Sequence, residues 1–286
     1  MTRYAQAMDS ESTLHELSFA FIGGGNMARS LIGGALEAGV PPTRIRVGEP
    51  SSEQRARLTD EFGVECTESN GDAVENADVV VLAVKPQVAA DAVRAITSRI
   101  DGHAVVISIM AGIRTDDLRR WLGVGPAIVR CMPNTPALIG FGMTALFAGS
   151  GLTGAGRAHA AALLGAVGET VWVDDESQLD AVTAVSGSGP AYLFLVIEAL
   201  QAAGIALGLP AETAAALARQ TARGAAEMAA SGADVAELRR QVTSPGGTTA
   251  AALAVLEDHG LRDAFARAVA AAAARSRALA DEFGGR

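Results

Sequence analysis

The sequence predicts a doubly wound α/β domain followed by an all-α domain, and three observations carry that prediction. Short Val- and Ile-rich runs alternate with helical stretches over the first part of the chain, a glycine-rich turn sits at the first strand–helix junction, and after Asp174 a helical period of about 3.6 residues takes over. The alternation runs in order: LSFAFIG then NMARSLIGGALEAG, RIRVGE then SSEQRARLTDEFG, ADVVVLAV then QVAADAVRAITSRI, HAVVISIM then RTDDLRRWLG. Repeated βα units imply a parallel sheet with helices on both faces, and ADVVVLAV, apolar throughout, suits a central strand buried on both sides. Further strands are expected at PAIVRCM, MTALFAG and ETVWVDD.

These units place the α/β domain at residues 18–174. Residues 175–286 read as helices broken at SGSGP, GLP, ASGAD, TSPGG and DHG, where Gly or Pro stops one helix and a Ser, Thr or Asp stands ready to cap the next. Residues 1–17 lack the apolar core of a signal peptide and carry Asp9, Glu11 and Glu16, so they read as a mobile extension.

Composition excludes several classes of function. The 286-residue chain is 49% hydrophobic and 19% charged, enough to bury the cores of two domains. A formal charge of -9 with scattered basic residues leaves no electrostatic footprint for nucleic acid or an anionic membrane. The Ala-rich runs are broken by Arg and are too weakly apolar for a membrane span. Cys66 and Cys131 are too few for a disulfide framework or a zinc site, so no metal is expected and a cytoplasmic setting fits.

The first chemical motif is FIGGGNMA, where Gly23, Gly25 and Ala28 fit G-x-G-x-x-A between a strand and a helix. Gly23 permits the tight turn, Gly25 lets backbone approach a pyrophosphate, and the helix start offers free N–H groups, which makes the domain a Rossmann-type dinucleotide binder. Glu49 ends the second strand, where a carboxylate would bond the ribose 2′-hydroxyl of NADH. Ser51, Ser52 and Arg55 follow at once and could hold a 2′-phosphate, or could be an N-cap and a solvated charge. NADPH and NADH therefore both stay open.

Ala83, Val84, Lys85 and Pro86 close the central strand at the edge where ligands of open α/β sheets bind. Lys85, the only lysine in the chain, either faces the cofactor or lays its stem over a helix end. Ile109, Met110 and Ala111 end the next strand along the same edge and suit a flat nicotinamide ring. Asn134, in RCMPNTP, is either a contact to the carboxamide or substrate, or the side chain of an Asx-type turn. Ser186, Gly187, Ser188 and Gly189 interrupt a helix, as a close approach of ligand or of another helix would require. In TSPGGTT, Gly246 and Gly247 feed a helix near Thr248, whose first N–H groups suit a carboxylate; Thr248 is the expected N-cap.

Together FIGGGNMA, LAVKPQ, RCMPNTPA, DAVTAVSGSGPAY and VTSPGGTT resemble pyrroline-5-carboxylate reductase, in that family's order and spacing, over nearly the whole chain after the extension. The resemblance implies a Rossmann domain, a helical domain that forms a homodimer and in some members higher assemblies, and reduction of 1-pyrroline-5-carboxylate to L-proline. It implies NADPH, with NADH possible. It sets the pyrophosphate against Ile22, Gly23, Gly24, Gly25, Asn26 and Met27, the adenosine near Glu49, Ser51 and Asn70, and the nicotinamide near Ala83 to Pro86 and Ile109 to Ala111. It brings the substrate carboxylate to Val242, Gly247 and Thr248, lines the pocket with Thr183 and Ser186 to Gly189, and matches Thr249 to the proposed proton donor. Glu49 departs from the serine or other small polar residue usual in NADPH-strict members.

Two other readings share the fold class. A β-hydroxyacid dehydrogenase-like enzyme resembles this architecture but uses a lysine on its helical domain, and this chain has none after Lys85. A non-catalytic NADP-sensing protein would have no need of a carboxylate site at TSPGGTT.

Overall fold

Strand order is what creates a ligand crevice in this chain. A computed structural model describes residues 14–123 and 125–284. Strands β1 (Phe19–Ile22), β2 (Ile45–Gly48), β3 (Glu65–Thr67), β4 (Val79–Leu82), β5 (Val105–Ser108), β6 (Ala127–Met132), β7 (Gly142–Ala148) and β8 (Gly168–Val173) form one sheet in the order β3-β2-β1-β4-β5-β6-β7-β8. Order therefore reverses between β1 and β4, whose register pairs Ile22 with Leu82.

The strands read as unbroken apolar runs because both faces are covered. Phe19, Phe21, Val79, Val81 and Ile107 point to one buried cluster, with Leu31 and Ile32 of helix α1 (Asn26–Glu37). Ala20, Ile22, Val80, Leu82 and Val106 point to the other, with Val93 of α4 (Ala89–Arg94) and Leu118 and Trp121 of α5 (Thr115–Leu122). Each large side chain so buried contributes roughly 1.5–3 kcal/mol. Helices α2 (Ser52–Phe62), α3 (Asn70–Ala73), α6 (Gly154–Gly165) and α7 (Gln178–Val182) complete this part.

Three features depart from the sequence reading. Strand β3 escaped it because three residues on an edge, with Glu65 exposed, show no alternation. The sheet is not parallel throughout, since β7 runs antiparallel to β6. The connector 133–141 holds only the 3-10 turn Thr135–Ile139, whereas a parallel return needs about a dozen residues and usually a helix. Of the extension expected to be mobile, residues 1–13 lie outside the described residues, but Leu14 is buried in the core and Leu17 packs against it.

The chain divides into two compact units: one runs to Gly187 and includes residues 272–286, and the other is Ser188–Ala271. The first therefore continues beyond Asp174, because Leu179 and Ala184 are buried in it. Its last piece is the end of α12 (Leu261–Gly284), which buries Ala280 and Phe283 and donates from Ser276 Oγ to Asp180 Oδ1 at 2.6 Å. Between α7 and α8 (Gly189–Ala206) lies one π-helical turn, Thr183–Gly187. The second unit consists of α8, α9 (Ala211–Ala230), α10 (Val235–Gln241), α11 (Thr248–Asp258) and the first part of α12.

Helix α8 buries no side chain within the chain. Leu193, Phe194, Leu195 and Val196, four neighbours that together circle a helix, are all exposed. A helix apolar all round requires a covering partner. The run Gln178–Ala206 is, by length and composition alone, apolar enough to cross a membrane, a feature that the Arg-interrupted texture of the other C-terminal runs did not suggest.

One polar network holds the end of the first unit. Glu176 accepts from Thr115 N–H at 2.8 Å, from Thr115 Oγ1 at 2.7 Å and from Arg130 Nη1 at 2.9 Å. Arg130 is 6% exposed, so its charge depends on that carboxylate. We expect Glu176→Ala to lower stability by about 3–5 kcal/mol in urea unfolding, because it strands a buried guanidinium. Glu176→Gln, which retains an acceptor, should cost less.

Candidate functional site

A cleft of about 630 Å³ opens at the reversal of strand order, outside the carboxyl ends of β1 and β4. Of the residues singled out from sequence, Gly23, Gly24, Gly25, Glu49, Ser51 and Asn70 line it, as do Ala83, Val84 and Lys85. Gly48, Pro50 and Gln54 join them, with Val88, Asp91 and Ala92 from the segment after β4. These last residues carry no motif, and only the fold returns them to the crevice.

The glycine turn is built by backbone contact. Gly23 has φ +96°, and a Cβ there would stand 2.8 Å from the carbonyl oxygen of Ala83. Its N–H donates to Gly48 O at 2.8 Å, while Ala83 N–H donates to Ile22 O at 2.8 Å. A Cβ on Gly25 would meet nothing within 4 Å, so this residue is free for a ligand to approach. Gly25 is also the N-cap of α1 and brings no side-chain cap, and the first turn holds no acidic residue. The N–H groups of that turn are thus available to a pyrophosphate. Open backbone, helix start and volume together fit a dinucleotide.

Glu49 lines the cleft just after β2. Its Oε2 accepts from Gly24 N–H at 2.9 Å and its Oε1 from Ser51 N–H at 2.9 Å. Ser51 is the N-cap of α2, accepting from Gln54 N–H at 3.4 Å, so the capping reading holds for it. Arg55 Nη1 donates to the carbonyls of Glu49 and Pro50, both at 2.8 Å.

Several expected contacts are placed elsewhere. Ile22 and Met110 are buried in the core, so neither side chain can reach the cleft. Asn26 and Met27 open α1 and offer its free N–H groups, whereas Ser52, Pro86, Ile109 and Ala111 are not among the residues lining the cleft. Pro86 instead opens the 3-10 turn Pro86–Val88, as its fixed φ favours. Asn134 is the clearest revision. Its Oδ1 accepts from Met143 N–H at 2.9 Å, and its Nδ2 donates to Ser186 O at 3.3 Å and Ser186 Oγ at 3.2 Å. The amide is thus engaged inside the chain at both its nitrogen and its oxygen, as the turn reading expects. Thr183 is likewise engaged, donating to Leu179 O at 2.7 Å, and Gly187 is pressed against Met132, where a Cβ would meet Cε at 2.7 Å. Ser188 stands before α8 and Gly189 opens it, neither making a side-chain cap.

TSPGGTT behaves differently from its expected cap. The N-cap of α11 is Gly247, not Thr248, and no side chain caps it. The chain enters through Gly246 at φ +70° and a turn from Gly247 N–H to Ser244 O at 3.1 Å, so the break falls one residue earlier than a threonine cap requires. Gly247 has therefore spent its own N–H. The N–H groups of Thr248, Thr249 and Ala250 remain without intrahelical partners, three donors of the kind that suit an anion. Val242, the C-cap of α10, is exposed on the same loop.

A cleft fit for a dinucleotide on a doubly wound sheet, with a separate helical unit, is the architecture of a nicotinamide-dependent oxidoreductase. Residues 18–112 match a family model described as NADP oxidoreductase, coenzyme F420-dependent, and residues 176–279 match one described as pyrroline-5-carboxylate reductase dimerisation. The pyrroline-5-carboxylate reductase of Pseudomonas aeruginosa is 50% identical over 266 residues, 93% of this chain and 97% of its own. The solved structure of the Coxiella burnetii pyrroline-5-carboxylate reductase is 42% identical with a TM-score of 0.87, covering 92% of this chain and 98% of that one. A Plasmodium falciparum pyrroline carboxylate reductase, solved with NADP bound, is 29% identical with a TM-score of 0.82, covering 93% and 99%. The chain belongs to the pyrroline-5-carboxylate reductase family.

The fate of Asn134 can be checked directly. Asn134→Ala should leave the dissociation constant for NADH within about twofold while lowering stability by about 1–3 kcal/mol through lost buried hydrogen bonds. Cofactor titration beside thermal unfolding separates this from a direct contact, which would weaken binding.

Proposed function

We infer that this chain reduces the ring imine of 1-pyrroline-5-carboxylate to L-proline in the cytoplasm, with NADPH or NADH as hydride source. The observation that carries this is the full-length match to named reductases, which spans both units. The dinucleotide-shaped cleft and the uncapped start of α11 support it.

A reduced nicotinamide held by the cleft would supply the hydride for the imine carbon, the C=N double bond becoming single as the nitrogen takes a proton. The protein's part is chiefly positioning, since transfer needs donor and acceptor carbons about 3–3.5 Å apart. Gly25 and the first turn of α1 would hold the pyrophosphate, while Gly23 and Gly24, whose N–H groups go to Gly48 and Glu49, shape the turn. The N–H groups of Thr248, Thr249 and Ala250 take the substrate carboxylate, with Gly247 shaping the turn and Val242 beside it. Asn134 holds Ser186 and with it the π-helical turn that contributes Thr183 and Gly187. Thr249, half-buried and without a hydrogen-bond partner among the described residues, has its hydroxyl free to donate to the imine nitrogen.

The second proposal concerns assembly. The match to a dimerisation model over residues 176–279 supports a homo-oligomer, and the exposed apolar circumference of α8 supplies a physical reason for one. We propose a homodimer in which a second copy covers α8, a role that accounts for its apolarity without a membrane. Higher assemblies of that dimer follow the resemblance.

Oxidation of NADPH or NADH on adding 1-pyrroline-5-carboxylate tests the activity, and no turnover with either would remove it. Thr249→Val should lower kcat by roughly 10- to 100-fold with cofactor affinity unchanged; unaltered kcat assigns protonation to solvent. For the assembly, light scattering should give twice the chain mass, and Leu195→Arg should yield monomer or aggregate, because it sets a charge in the proposed interface.

A further inference from the structure

We propose that Glu49 makes this enzyme select NADH over NADPH. The proposal rests on the reading of the cleft as the dinucleotide site, and it concerns only the adenosine end.

Both carboxylate oxygens of Glu49 are oriented by the chain. Gly24 N–H holds Oε2 and Ser51 N–H holds Oε1, each at 2.9 Å, so the group is pinned between the glycine turn and the start of α2. A carboxylate oxygen accepts about two hydrogen bonds, so each retains capacity for one more, and Glu49 lines the cleft. Two adjacent acceptors match the two hydroxyls of an unsubstituted ribose, which both donate. A 2′-phosphate offers only acceptor oxygens and a charge of about -1.5 to -2 at neutral pH, so it meets the carboxylate as anion against anion with no hydrogen to share.

Compensating cations are missing from this end. Among the residues lining the cleft the acidic ones are Glu49 and Asp91, and the one base is Lys85, which follows β4 on the other side of the strand reversal. Arg46, before Glu49 in sequence, donates to the carbonyls of Asp72 and Glu75, and Arg55 is the next guanidinium after it. Arg55 is turned back onto the carbonyls of Glu49 and Pro50, with its Nη2 3.7 Å from Glu68, and it does not line the cleft. The reading that left Ser51 and Arg55 as a phosphate pocket is therefore disfavoured by the same bonds that fix Glu49. A like-charge contact at a few Å in a partly screened cleft corresponds to roughly a 10- to 100-fold loss of affinity.

The test is calorimetric titration of the native protein with NADH and with NADPH, without substrate, at low and high salt. NADH should bind tighter by about tenfold or more at low salt, and the gap should narrow as salt screens the repulsion. Glu49→Gln, which removes the charge and keeps one acceptor, and Glu49→Ser, which removes the side chain beyond Cβ, should each close most of the gap, chiefly by strengthening NADPH. Thermal unfolding confirms that each variant is folded. Equal or tighter binding of NADPH by the native protein would overturn the proposal, as would an unchanged ratio in both variants. Because no imine is present, failure of the proposed reduction would leave this result intact. Failure to bind either dinucleotide would instead refute the site itself, and the selectivity with it.

Discussion

The close passage of the backbone at Gly23 against that at Ala83 is the constraint on which the cofactor site depends. Strand order reverses there, so the turns after β1 and β4 must leave the sheet in opposite directions while their strands remain paired. With no side chain at Gly23, a left-handed φ and a carbonyl within reach of a would-be Cβ are both tolerated. The crevice, the open helix start at Gly25 and the nearness of Glu49 to Gly24 all follow from that passage.

Glu49 joins a structural role to the selectivity proposed for it. Its two bonds to backbone N–H groups tie the first βα turn to the second. In the proposed selectivity, the same bonds hold its charge where two cofactors would differ. Arg55, bonded to carbonyls of the same turn, stabilises the segment and is withdrawn as a phosphate ligand. Farther along the sheet, the buried Arg130–Glu176 pair secures the segment that leads toward the helices, and Asn134 fixes the π-helical turn within it.

The helical unit follows a different rule. Within one chain its longest apolar helix has no core to join, so its composition makes sense only in an assembly. An uncapped helix start at Gly247 adds a polar device to that apolar scaffold. In both units glycine at the N-cap leaves donors open where a serine or threonine would have satisfied one of them.

The βα alternation, the glycine turn, the all-helical second half and the family resemblance are legible from residues alone, because apolar periodicity and Gly/Pro punctuation are local signals. What sequence could not reveal depends on distance in space. Strand β3 is too short for a period, β7 turns antiparallel because its connector is short, and Leu14 belongs to the core although its neighbours in sequence are polar. Val88 and Asp91 reach the cleft only by the return of the chain after β4, and Ile22 and Met110 belong to the core although motif position suggested ligand contact. Asn134 gave two equal readings until its partners, Met143 and Ser186, were known. Local chemistry thus determined which elements form and which family they compose. Tertiary structure decided which polar groups are already satisfied, because a hydrogen bond between residues far apart in sequence leaves no trace in either neighbourhood.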